Sequence, residues 1–181
     1  MIAFLGAFER FVMRWTMWAA VSLLALCCCV SLFQVITRFV FEEPSTWSEV
    51  AARSLDIWMV YLGVAVAFRT GALMSVEFLS ARLRGRAKAV LVAAIAGLSI
   101  GVLGVLVWFG IVMVDRARFQ MLAGVDNPFT GEGLSIALVY AAVPVGAALA
   151  IVGALARAAE EIRAALGEAP QPEGPREMFE V

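Results

Sequence analysis

Long uncharged runs, separated by short clusters of charge, divide this chain into four parts. Trp15–Thr37, Ala89–Val114 and Gly133–Ala156 contain no Asp, Glu, Lys or Arg. Each exceeds the ~20 apolar residues that cross a bilayer as a helix. The second apolar stretch, about Ser48–Phe68, differs. Its uncharged part, Ile57–Phe68, reaches only ~18 Å at ~1.5 Å per residue. To cross a ~30 Å core this helix must take in Glu49, Arg53 and Asp56. Their spacings of four and three residues put all three on one helical face. A charge facing lipid near the bilayer centre costs about 2.5–3.5 kcal/mol, so the stripe calls for protein or water beside it.

The pattern predicts an all-α integral membrane protein. A single four-helix domain covers 1–166, with helices at about 15–37, 48–68, 89–114 and 133–156. The remainder, 167–181, carries Pro170, Pro172 and Pro175 among polar residues and is expected to be a disordered, dispensable tail. Pro144, midway in the fourth run, is expected to kink it. Ahead of the first run, Phe4, Phe8, Phe11 and Trp15 share a face with Val12 nearby, and Arg10 and Arg14 lie opposite. This reads either as an interfacial helix lying on the membrane or as an early extension of the first helix. The first run is too long for a signal-peptide core, and no A-x-A-like site precedes Arg38.

Lysine and arginine placement sets the orientation. Arg10 and Arg14, the cluster Arg69, Arg82, Arg84, Arg86 and Lys88, and Arg157, Arg163 and Arg176 fall on one side. Arg38, Arg116 and Arg118 fall on the other. Both termini are therefore expected in the cytoplasm, with Arg10, Arg14, Arg82, Arg84, Arg86 and Lys88 as lipid-interface anchors. Asp126-Asn127-Pro128 marks a turn in an outer loop.

Composition narrows the chemistry. The 181 residues are 62% hydrophobic and 16% charged, with a net charge of −1, which leaves no nucleic-acid surface. Histidine is absent, which removes His-based haem and zinc sites and His-dependent nucleophilic catalysis. The only cysteines are the adjacent Cys27, Cys28 and Cys29, which point in different directions on a helix and suit packing. No cofactor, metal site or enzymatic activity is expected.

On the second helix, Ser48 is a candidate cap, with Glu49 favourable at the positive end. Arg53, between Glu49 and Asp56, is expected to hold both acids in one network. The same face continues through Val60, Gly63 and Ala67, small enough for another helix to approach. Arg69 and Gly71 form an expected helix exit, a cation in the last turn and a glycine after it. Trp47 and Trp58 are packing or interfacial anchors. The alternative for Asp56 and Glu49 is an ion-conducting site in an autonomous, homo-oligomeric transporter or channel. The third and fourth runs offer no charged residue to complete such a pathway.

The ordered set Arg38-Phe39-Val40-Phe41, Pro44, Trp47-Ser48-Glu49, Arg53, Ile57-Trp58, Leu62-Gly63, Ala67-Phe68-Arg69, Gly71 and Val76-Glu77-Phe78-Leu79 resembles the small, DctQ-type membrane subunit of tripartite ATP-independent periplasmic (TRAP) transporters. The resemblance covers about a quarter of the chain, and the four-helix layout agrees over the rest. Val50 stands where the family usually has a second acid, and Gly71-Ala72-Leu73-Met74 lacks a histidine often found in the exit segment. The resemblance implies a bacterial inner-membrane scaffold subunit beside a large membrane transport subunit. A periplasmic binding protein would deliver an organic acid anion, and an ion gradient, usually of sodium, would drive uptake. Trp47, Glu49, Arg53, Asp56, Gly63, Arg69, Gly71 and Glu77 are the candidate interface and structural residues. The small subunit of the tricarboxylate tripartite system has a similar layout.

Overall fold

A computed structural model describes residues 2–42, 45–71, 86–126 and 133–167. The helices are α1 (Ile2–Phe39), α2 (Thr46–Thr70), α3 (Arg86–Ala117), α4 (Ala137–Tyr140) and α5 (Ala142–Ala165). Between α3 and α4 lie two short strands, β1 (Met121–Asp126) and β2 (Gly133–Ser135), paired antiparallel with Met121 opposite Ser135. Among the described residues four helical stretches are long and apolar enough to cross a membrane: Phe11–Phe39, Trp47–Thr70, Arg86–Ala117 and Ala137–Ala165. The all-α membrane class holds, with the small ladder as its one addition.

Helices outrun the uncharged runs because charged flanking residues continue the helix while their heads reach polar surroundings. At the N-terminus α1 runs unbroken from Ile2 into the first span, so of the two readings of that segment the extension is the one observed. The fourth apolar run departs from expectation at its start. Gly133 and its two successors are strand, in keeping with the poor helix propensity of glycine. The Ser135 hydroxyl then joins two helix ends. It reaches the Arg118 carbonyl (3.1 Å) beyond α3 and accepts from the Ala137 amide (3.2 Å) at the start of α4.

Pro144 does not kink the middle of a helix. It falls in the first turn of α5, where its missing N–H is harmless, and the chain breaks at Ala141 just before it.

The helices do not close into a four-cornered bundle. α2 packs on α1 and on α5, and α5 packs on α3. α1 rests almost wholly on α2, with Cys27 half-buried and its thiol 3.6 Å from the Ala52 carbonyl, and with the Phe33 and Trp47 rings 5.6 Å apart. The core lies where α2, α5 and α3 meet, around Ala65, Leu103, Ala147 and Ala150. Small residues permit that junction. A side chain on Gly146 would place Cβ 2.6 Å from the Tyr61 Cβ and 2.9 Å from its carbonyl oxygen. Gly110 on α3 faces the Pro144 ring just as closely, at 2.8 Å. Close backbone approach of this kind is how helices associate where lipid offers no hydrophobic drive. On α3 three of the four buried positions, Leu103, Gly110 and Ala117, recur every seven residues; the first two meet α5, and Ala117 lies by Ser135.

Candidate subunit interface

α2 and its closing residue Gly71 carry the described candidate interface residues, and α2 presents the charged ones on two opposite faces. Its start is tied locally. Ser45, not Ser48, occupies the cap position, and Ser48 is fully buried in the first turn. The Ser48 hydroxyl donates to the Ser45 carbonyl (2.9 Å) and pairs with the Ser45 hydroxyl. Trp58, half-buried, donates its indole N–H to the Leu138 carbonyl (3.2 Å), which fastens α2 to the short helix ahead of the Pro144 break.

The face of α2 turned to α5 ends in a clasp of charges. Arg69 is buried and donates twice to Glu160, Nη1 to Oε2 at 2.9 Å and Nη2 to Oε1 at 2.8 Å. Four residues along from Arg157, Glu161 accepts from its Nε at 2.7 Å, and both side chains are largely buried. Gly71 closes α2 in the left-handed conformation, φ 70°, with its N–H on the Ala67 carbonyl. Any Cβ there would lie 3.1 Å from the Arg157 guanidinium. Conformation and space both call for glycine. Gly153 on α5 lets the Arg69 backbone come close, since a Cβ there would sit 3.1 Å from the Arg69 Cβ. The bidentate geometry fixes the rotation and height of α2 against α5, as planar fork-to-fork pairing does.

The opposite face is uncovered. Glu49, Arg53, Asp56, Val60 and Val64 are all exposed. Gly63 meets nothing within 4 Å of where a Cβ would stand, so its close approach is not used inside the chain. The expected three-membered network is only a pair. Arg53 reaches Glu49 at 3.0 Å, while Asp56 has no hydrogen-bond or ion-pair partner among the described residues. One guanidinium has taken the acid four residues back, the better-oriented helical neighbour. A groove of about 510 Å³ flanks this face. Ile57 and Tyr61 of α2 and Val139, Tyr140 and Val143 of α4 and α5 line it, with the Glu49–Arg53 pair at its rim.

The other candidates scatter. Trp47 lies on Phe33 of α1. Arg14 and Arg86 are exposed and Lys88 is half-buried. Arg10 belongs to α1. Glu77, Arg82, Arg84, the Asn127-Pro128 part of the expected turn and the tail beyond Gly167 lie outside the described residues. Sequence reasoning missed Glu160, Arg157 and Glu161, and also the Gly146, Ala150, Gly153 and Ala154 stripe. The stripe had a readable signal in its spacings of four, three and one. The Glu160 partnership, 91 residues from Arg69, had none.

Four helical stretches able to cross a membrane, with one internal clasp of charges and one charged face left exposed among the described residues, are the features of a helical membrane protein. The family model for "Tripartite ATP-independent periplasmic transporters, DctQ component" matches residues 27–164, well over half of the chain. The chain belongs to that family, which sets it apart from the tricarboxylate tripartite system. It is also similar to the sialic acid TRAP transporter small permease protein SiaQ of Vibrio cholerae serotype O1 (strain ATCC 39315 / El Tor Inaba N16961). The two are 27% identical over 122 residues, which cover 66% of this chain and 70% of the relative. The protein is thus a small permease subunit of a TRAP uptake transporter, a multi-pass protein of the inner membrane.

Proposed function

We infer that this chain is the non-catalytic scaffold of its transporter. It braces a large membrane subunit that itself binds and moves substrate, while a periplasmic binding protein delivers that substrate. The observation that carries this reading is the contrast within α2. Its α5 face is locked by Arg69–Glu160, and its other face exposes a carboxylate, Asp56, that has no partner among the described residues and calls for a neighbour. The described residues place no charge in the apolar middles of α1, α3 and α5, so a conduction path has nothing to continue along. Positive-inside bias puts both termini in the cytoplasm, and the hairpin end then faces the periplasm, where the binding protein docks. The Arg69 clasp then sits at the cytoplasmic end. Residues 1–166 act as one membrane unit.

The cargo class we assign is an organic acid anion, taken up with a sodium gradient. The sialic acid named for the V. cholerae relative is of this class. Reconstitution tests the reading. Liposomes holding this chain alone should take up no labelled acid under a sodium gradient, even with the binding protein present. Liposomes holding both membrane subunits should do so. Uptake by the chain alone would overturn the scaffold role.

A further inference from the structure

We propose that the line Glu49, Asp56, Val60, Gly63 and Ala67 on α2 seats one membrane helix of the large subunit, which brings a basic side chain to Asp56. This rests on the scaffold-subunit reading and goes further by naming the face and the complementary chemistry. Three observations carry it. Asp56 lies ten residues beyond Thr46, about 15 Å along the 25-residue α2 and close to the middle of a helix long enough to cross the membrane. It is exposed, and no described residue pairs with it. One and two turns further, Val60 and Gly63 continue the same line, and Gly63 faces open space. The spacings of four and three residues match the seam of two packed helices, with the glycine as the point of closest approach.

The charge selects the occupant. Lipid tails at this depth cannot pair a carboxylate. A second copy of this chain, related by a two-fold axis along the membrane normal, would set Asp56 against Asp56. A helix of a different chain carrying Arg or Lys satisfies the acid and fills the small-residue line.

The test uses the full chain, co-expressed with the large subunit of its own transporter. Wild-type chain should co-purify with that subunit. Asp56→Lys should lower the recovered complex at least about tenfold, because reversing one partner of a desolvated pair removes the attraction and adds a like-charge clash. Asp56→Asn should have a smaller effect. Each variant alone should match wild type in gel filtration and helix content, because Asp56 has no described partner within the chain to lose. A photo-crosslinking benzophenone amino acid in place of Val60 should join the large subunit. An acidic substitution at the basic residue nearest that adduct should restore the yield of Asp56→Lys. An unchanged yield with Asp56→Lys overturns the proposal while wild-type co-purification keeps the scaffold reading. So does an adduct that joins two copies of this chain, or lipid only. Failure of wild type to co-purify overturns both.

Discussion

Two ion pairs on α2, Arg69–Glu160 and Glu49–Arg53, use the same chemistry to opposite ends. The first joins residues 91 apart through two parallel hydrogen bonds, and its arginine side chain is only 9% exposed. The second is a local pair four residues apart through one contact, with side chains 74% and 61% exposed. The Glu160 side chain is 38% exposed, so the first pair is buried on the arginine side; it ties two helices, and removing the acid would leave a buried guanidinium without these two bonds. An exposed helical pair is worth little to the chain that carries it. The inner face of α2 has its partners in α5, and its outer face stays exposed among the described residues, as the proposed docking of a partner requires.

The largest expected effect breaks the inner side. Arg69→Ala should destabilise the isolated chain by about 2–3 kcal/mol, the scale of hydrogen bonds to a charged group, read as denaturant or thermal unfolding in detergent. Glu160→Gln, which keeps one acceptor oxygen, should cost less. A loss no greater than that of Arg53→Ala would erase the comparison. Overpacking the same face comes next. Gly146→Val should destabilise by about 1–3 kcal/mol, since its side chain must displace Tyr61. The matched Gly63→Val should leave the isolated chain nearly unchanged and weaken only the complex, and equal losses from the two would contradict two unlike faces. Arg53→Ala should shift isolated-chain stability by no more than about 0.5 kcal/mol. It should still reduce recovery of the complex, because Glu49 then joins Asp56 as an unpaired acid at the interface. The smallest effect expected is from deletion after Gly167, with uptake close to wild type. A clear loss of transport would give the tail a task.

Much of this architecture is legible in the residues, and the limits are physical. Four spans follow from apolar length, and the exit of α2 follows from Arg69 and Gly71, whose local chemistry is the same in sequence and in space. The charged face of α2 follows from the three- and four-residue spacings. The internal partner of Arg69 does not follow, because the height at which α5 passes α2 sets it, and small residues distant in sequence fix that height. Pro144 misleads for a related reason. A proline in an apolar run reads as a kink, yet here the ladder and the short α4 take up the first residues of the run and leave proline in a first turn. Asp56 misleads more usefully. Spacing alone puts it within reach of Arg53, but one guanidinium satisfied by Glu49 leaves Asp56 unpaired among the described residues. On the proposed reading, that acid marks where the large subunit sits.

The most direct test of the central claim is to tag the chain in its native host, extract it gently, and weigh and identify what accompanies it. The account predicts a much larger, many-helix membrane protein at a one-to-one ratio. A chain that purifies alone as a stable homo-oligomer would contradict it, and Asp56 and Glu49 would then become candidate transport residues.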